Sequence, residues 1–345
     1  MTEHISPYWR SVMERLKNDG SEKARAALAA LSAQVCAKAA EMHILPYENA
    51  DPLGAASYAV HGGKNACKGS RLVHQYKNRC LFLTVGSCFA HCRYCFRRES
   101  PVLNYPFASP KEIEDACSYI ASHSEIQEIL ISGGDPLTVS DRQLERLFSA
   151  LKDVRPSLLI RVCTRSPVFA PERFTPSLIA LLQKFRPLWL IPHINHSAEF
   201  CERWSFEARR VLETLVQSGI PMQSQTVLLR GVNNTVDALC DLFYNLTLIG
   251  IKPGYLFQGD LAPGTAHFRV PIDEGVRLYE RVRSELSGLS TPVYAVDIPS
   301  GGGKINLLQL DPELLNVKIE RGEHTYIFTD SSGERREYPI EKTTV

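Results

Sequence analysis

The chain has 345 residues, 44% of them hydrophobic and 22% charged, with basic and acidic residues balanced to a formal net charge of +1. That size suits one large core or a domain with extensions, and charges of both signs are interspersed, with no basic block of the kind that grips a nucleic acid. No apolar run reaches the length of a membrane span, and the opening Met1-Thr-Glu-His-Ile-Ser-Pro lacks the basic and apolar regions of a signal peptide, so a cytosolic location without membrane partners is expected.

The first 40 or so residues carry helical periodicity, clearest in the Ala-rich run 23–42. A connector bearing Pro, Gly and Asn then leads to about Ser70. Residues 1–70 are therefore expected to form a helical extension and connector. From Cys80 onward, short apolar or β-branched runs at 81–85, 128–131, 158–162, 188–191, 223–228, 252–257 and 293–296 alternate with amphipathic segments. Such alternation predicts an α/β fold of parallel strands and right-handed crossovers, with functional residues on the loops at the C-terminal strand ends of a barrel. This barrel is expected to occupy 71–304. The stretch 315–339 alternates like a small hairpin turning at Ser331-Ser332-Gly333, within a C-terminal β appendage spanning 305–345.

After the first predicted strand come Cys88, Cys92 and Cys95, spaced C-x3-C-x2-C. Three thiolates can hold three corners of an iron–sulfur cube and leave the fourth iron open to a small molecule, whereas four thiolates would leave a cluster that only transfers electrons. Zinc and ferredoxin sites need a fourth ligand at matched spacing, and the nearest candidate, His91, lies inside the motif. The other cysteines (Cys36, Cys67, Cys80, Cys117, Cys163, Cys201 and Cys240) are scattered without pairing and read as packing residues.

Two glycine segments follow. Ser132-Gly133-Gly134-Asp135-Pro136 closes the second predicted strand, where glycines let backbone approach a ligand closely. Far downstream, Asp297-Ile-Pro-Ser300-Gly301-Gly302-Gly303-Lys304 has almost no side chain to bury. It is not a phosphate-binding P-loop, because Ile305-Asn306-Leu307 follows the lysine. A flexible loop presenting one amine suits a lysine that forms a Schiff base with an aldehyde cofactor such as pyridoxal 5′-phosphate (PLP). A solvated turn with an incidental lysine is the plain alternative.

The cysteine spacing resembles that of radical S-adenosylmethionine (SAM) enzymes, and the ordered set of segments resembles the lysine 2,3-aminomutase family. These segments are Tyr76-Lys-Asn-Arg79, Cys92-Arg-Tyr-Cys95-Phe-Arg97-Arg98, 132–137, His193-Ile-Asn195-His196, Gln225 to Asn233, Asp260 to Arg269 and Asp297 to Lys304. The resemblance implies a partial (β/α)6 barrel, a [4Fe-4S] cluster on Cys88, Cys92 and Cys95, SAM chelated to the open iron, and PLP on Lys304. It further implies Arg97 on the substrate carboxylate and Asp260 and Asp297 on the distal ammonium of lysine. Gly133, Gly134, Asp135, His193, Asn195 and Gln225 would lie near SAM, and Arg79 near PLP. In such an enzyme SAM yields a 5′-deoxyadenosyl radical, the nitrogen of L-lysine migrates from the α to the β carbon, and a reductant such as flavodoxin or ferredoxin supplies the electron. A homo-oligomer is compatible with the resemblance.

The departures matter as well. Both halves of the structural zinc site of longer members are missing: Thr235 follows Asn233-Asn234, and no cysteine follows Tyr338. Short members that make β-lysine for modification of elongation factor P usually lack the second aspartate, which is present here as Asp297, and Ser300 replaces a glycine of the lysine loop. Three readings stand: a lysine 2,3-aminomutase, an aminomutase of another amino acid such as glutamate, and a non-catalytic iron–sulfur redox sensor. Asp260 and Asp297 argue against glutamate, and PLP on Lys304 would exclude the sensor.

Overall fold

Strand burial alternates residue by residue, and this alternation builds the scaffold. In β2 (Arg79–Val85), Cys80, Phe82 and Thr84 are buried while Arg79, Leu81 and Leu83 are half-buried, and β4 (Leu159–Thr164) repeats the pattern. A period of two turns one set of side chains toward the covering helices and the other toward the inside of the curved sheet. The computed structural model describes residues 5–35, 71–97, 104–262, 264–298, 303–308, 318–329 and 333–339.

One five-stranded sheet runs from β1 (Leu72–Tyr76) through β2, β3 (Glu128–Gly133) and β4 to β5 (Leu188–Pro192). A four-stranded sheet follows, composed of β6 (Gln223–Val227), β7 (Lys252–Phe257), β8 (Val293–Ile298) and β9 (Gly303–Asn306). Parallel bridges Leu190 to Met222 and His193 to Gln225 join the two at β5 and β6. Strands β2 to β8 are thus parallel along one arc, and β1 and β9 run antiparallel at its two edges. The edges approach through a side chain: the Tyr76 hydroxyl accepts the Lys304 N–H at 3.0 Å.

Each of β2 to β7 is followed by a helix, giving six β/α units and a seventh parallel strand. The helices carry their own start signals. Ser109 caps Pro110–Ser122 with Glu112 completing a capping box, and Ser140 with Gln143 does the same for Asp141–Val154. Their apolar faces, Ile113, Ala116 and Ile120 in one and Leu144, Leu147, Phe148 and Leu151 in the other, enter the main core. No helix among the described residues is long and apolar enough to cross a membrane.

All seven predicted parallel strands form, within a residue or two of their expected limits. The antiparallel edges are the additions. β1 pairs with β2 across a two-residue turn, and the lysine segment, expected to be a flexible loop, enters β9. At the N-terminus the periodic run resolves into α1 (Pro7–Asp19) and α2 (Glu22–Gln34), broken where Gly20 adopts φ 62° and Ser21 caps the second helix. Positions 36–70 lie outside the described residues. The C-terminal hairpin is instead a three-stranded sheet of β10 (Lys318–Arg321), β11 (Thr325–Thr329) and β12 (Arg335–Pro339), because the chain reverses at Gly322 as well as near Gly333. Ser331 and Ser332 lie outside the described residues. Tyr326, Phe328 and Tyr338 pack this sheet against Leu261, Ile272, Val296 and Ile305.

Candidate active site

The cysteine loop leaves β2 and is held by its neighbours' backbone. Gly134 donates its N–H to Val85 O at 2.6 Å, and Asp135 donates to Ser87 O at 2.7 Å. The glycines are required by this approach: a Cβ on Gly134 would stand 2.4 Å from the carbonyl oxygens of Gly86 and Ser87, and one on Gly133, whose φ is 130°, would stand 2.2 Å from Val85 O. Sequence reasoning expected these glycines to let backbone approach a ligand, and in the fold they admit the cysteine loop. Asp135 is likewise turned inward, accepting bonds from Thr164 Oγ1 and from the N–H groups of Leu137 and Arg165.

Cys88, Cys92 and Cys95 share this loop and are close enough for their charges to interact, although no three donors among the described residues already stand at metal-binding spacing. Burial pushes the Cys88 thiol well up, and Asp135, Cys95 and Cys92 add to this against Arg97. Mutual repulsion among clustered thiolates is offset by a multivalent cation, so the donor set fits an iron–sulfur cluster.

Arg97 lies just beyond the cysteines, its guanidinium 4.4 Å from the Phe96 ring centroid and one nitrogen 3.5 Å from Gly133 O. Burial lowers its pKa, while Cys95, Cys163, Asp260 and Cys88 favour its charge. Asp260 follows β7, and its carboxyl is pushed up to about 7, first by burial and then by Asp297, against Lys304 and Arg97. Asp297, at the end of β8, accepts a 2.7 Å bond from Lys304 Nζ. Burial opposes the Lys304 charge, yet Asp297, Tyr76 and Asp260 together hold the ammonium above its ordinary range. The Lys304 side chain is one-third exposed, and its ammonium lies 5.4 Å from the Phe257 ring centroid. Arg79 stacks on Tyr76 at 3.7 Å, beside the same lysine. An accessible amine with aromatic rings and a guanidinium nearby fits the aldehyde, ring and phosphate of PLP.

The predicted SAM-side residues divide. His193 stacks on Tyr94 and bonds Asn195 Oδ1 at 3.1 Å; burial, then the Arg165 charge, pulls it down to about 3, so it is neutral. Asn195 is fully buried, and both ends of its amide are engaged, with Gln34 Oε1 at 3.0 Å and the Val227 N–H at 3.0 Å; it ties strands together. Gln225 is half-buried on β6 and pairs with His193 across the β5–β6 seam.

Three residues escaped the sequence reading. Arg165, one place beyond β4, donates to Cys92 Sγ at 3.1 Å; it is a charged residue at a strand end, and that position was its signal. Tyr76 is in the segment quoted for Arg79. Cys163, expected to be packing, is half-buried on β4, where Arg161 first, then Arg97 and Lys304, oppose the upward push of burial on its thiol. Cys80 and Cys117 do pack in the core, and Cys201 and Cys240 pack against it; Cys36 and Cys67 lie outside the described residues.

Residues 83–243 match the radical SAM superfamily. A protein of Treponema pallidum (strain Nichols) named a putative L-lysine 2,3-aminomutase is 47% identical over 310 residues, covering 90% of this chain and 82% of that one. The L-lysine 2,3-aminomutase of Acetoanaerobium sticklandii is 33% identical over 330 residues, 95% of this chain and 73% of that one. Among solved structures, Streptococcus suis SuiB bound to precursor peptide SuiA superposes with a TM-score of 0.51 at 13% identity, covering 78% of this chain and 57% of that one, a likeness of fold alone.

Proposed function

The chain belongs to the lysine 2,3-aminomutase family of radical SAM enzymes, and from that premise we propose that it converts L-lysine to β-lysine, with Cys88, Cys92 and Cys95 holding a [4Fe-4S] cluster and Lys304 holding PLP. When bound, the cluster and SAM supply the hydrogen-abstracting radical, and PLP supplies the π system through which nitrogen moves between adjacent carbons.

The observation that carries this reading is the row of charges from the cysteine loop to the lysine. Arg97 lies within electrostatic reach of Cys88, Cys95 and Asp260, Asp260 within reach of Asp297, and Asp297 bonds Lys304 at 2.7 Å. A guanidinium near the cluster suits the substrate carboxylate, and two acids nearer the PLP lysine suit a second, distal ammonium. A glutamate side chain would meet repulsion there. Arg79 and Tyr76 would position the PLP phosphate and ring edge. His193 and Gln225 would border SAM, and Asn195 and Asp135 would support that border through the backbone.

The direct test is anaerobic incubation of the reconstituted chain with SAM, PLP, a low-potential reductant such as flavodoxin or ferredoxin and L-lysine, following β-lysine and 5′-deoxyadenosine by mass spectrometry. Both products are expected. Deoxyadenosine without β-lysine would sink the substrate assignment and keep the radical chemistry, and neither product would favour a redox sensor. Delivery of the product to elongation factor P is a further proposal, tested by whether purified factor gains the mass of β-lysine only when a β-lysine ligase is added.

A further inference from the structure

Beneath the cysteine loop lies a buried polar cluster that the amino migration itself does not use. Arg165 is 8% exposed; it donates from Nη1 to Cys92 Sγ at 3.1 Å and to the Tyr94 hydroxyl, and from Nη2 to Glu199 Oε2 at 2.7 Å and Gln34 Oε1 at 3.3 Å. Its guanidinium lies 4.3 Å from the Phe169 ring centroid, and Trp9 of α1 packs edge-on against the same ring at 4.8 Å. Glu199 is enclosed as well. Its Oε1 accepts from the N–H groups of Asn195 and His196 and from Gln34 Nε2, each at 3.1 Å. The N-terminal helices therefore close over the site: Gln34 is the last residue of α2, its carbonyl accepts the Arg93 N–H at 2.9 Å, and Val35 bridges to Cys92.

Burying an ion pair costs desolvation of both partners, which a structural tie between these elements would not need. The planar fork of arginine, with five donors at fixed angles, reaches a sulfur and a carboxylate from separate nitrogens. Hydrogen bonds to the sulfur ligands of an iron–sulfur cluster set its reduction potential, since a donor stabilises the extra negative charge of the reduced state. We propose that Arg165, positioned by Glu199 and Gln34, is a positioning residue that sets the reduction potential of the cluster through its N–H···S bond to Cys92. This rests on the radical SAM reading above. It also gives the N-terminal helices a role, because without Gln34 the guanidinium loses one of the side chains that aim it.

The test is a reductive titration of the reconstituted full-length protein, monitored by electron paramagnetic resonance, with iron content and thermal melting recorded for each variant. Arg165→Gln removes the positive charge, replaces the guanidinium with a shorter amide that falls short of Cys92 Sγ, and leaves Glu199 uncompensated, so reduction should become about tenfold less favourable, a fall of roughly 59 mV for one electron. Glu199→Gln leaves the cation uncompensated and should shift the potential upward. Opposite signs from two partners of one ion pair are not expected if the pair only holds the fold. If Arg165→Gln binds no cluster, Arg165→Lys decides, and its potential should fall below wild type by less than tenfold in the equilibrium. Potentials within twofold of wild type, shifts of one sign in both partners, or loss of the cluster from both Arg165 variants at unchanged melting temperature would overturn the proposal. A wild-type chain that binds no cluster would instead overturn the functional reading.

Discussion

Asp297 and Lys304 are direct cross-strand partners in the antiparallel β8–β9 pair, and their side chains close an ion pair of 2.7 Å. The lysine's own ammonium thus stands where a substrate's distal ammonium is proposed to bind. PLP on Lys304 would draw that nitrogen out of the pair, leaving Asp297 beside Asp260, whose carboxyl it already pushes up, and open to a second cation. Under the proposed function, the same carboxylate would pair with the lysine nitrogen before PLP loads and with a substrate ammonium afterwards.

Asp297→Asn separates the two roles. Turnover of lysine, read as kcat/KM, should fall roughly ten- to hundredfold, the equivalent of losing a charged hydrogen bond of about 1.5–3 kcal/mol. PLP occupancy, read from bound-cofactor absorbance, should stay near wild type. Unchanged kcat/KM would remove Asp297 from the substrate site.

Lys304→Ala should abolish the bound-PLP absorbance and all β-lysine formation while leaving iron content intact, because the cysteine loop is held at Val85 and Ser87 by the N–H groups of Gly134 and Asp135, which do not involve β9. An undiminished PLP band would place the cofactor on another residue.

Asp260 gives the pH dependence. Its carboxyl titrates near 7 in the fold against an ordinary value of 3.8, so between about pH 4 and 7 the folded protein keeps a proton that the unfolded chain has released. Its contribution to stability is therefore lost as pH rises through that window. Asp260→Asn should melt higher than wild type at pH 8, with the difference shrinking by pH 5. Binding of a lysine cation has the opposite sign, since it needs the carboxylate: affinity by calorimetry should weaken as pH falls below about 7, by up to tenfold per pH unit, and flatten in the variant. A parallel slope in both proteins would assign the titration elsewhere.

Gly134→Ala tests the loop geometry. A methyl group 2.4 Å from two backbone carbonyl oxygens forces the cysteine loop away from β3, so iron per chain after reconstitution should fall to a small fraction of wild type. Full iron loading would show that the loop can move without losing the cluster.

The C-terminal sheet is more than an appendage. The Tyr338 hydroxyl donates to Gly259 O at 2.6 Å and accepts from Gln258 Nε2 at 3.0 Å, bracing the residue before Asp260. Tyr338→Phe should cost about 1–3 kcal/mol by chemical denaturation, as a buried carbonyl loses its donor, and should raise KM for lysine more than it lowers kcat.

The sequence by itself determined the parallel strands, because strand burial follows a period of two, and its short spacings singled out the cysteine triplet and the glycine-rich lysine segment as candidates, whereas the two aspartates came from the family resemblance. It could not determine what Gly133, Gly134, Asp135 and Asn195 face. A turn glycine reads alike whether it approaches a ligand or a neighbouring loop, and here the neighbour is the backbone at Val85 to Ser87. Arg165, Glu199 and Gln34 are separated by up to 165 positions and share no local pattern. Only closure of the arc, with α2 packed over the loop after β2, brings them to Cys92, because a buried charge finds its partners through tertiary packing rather than through sequence proximity.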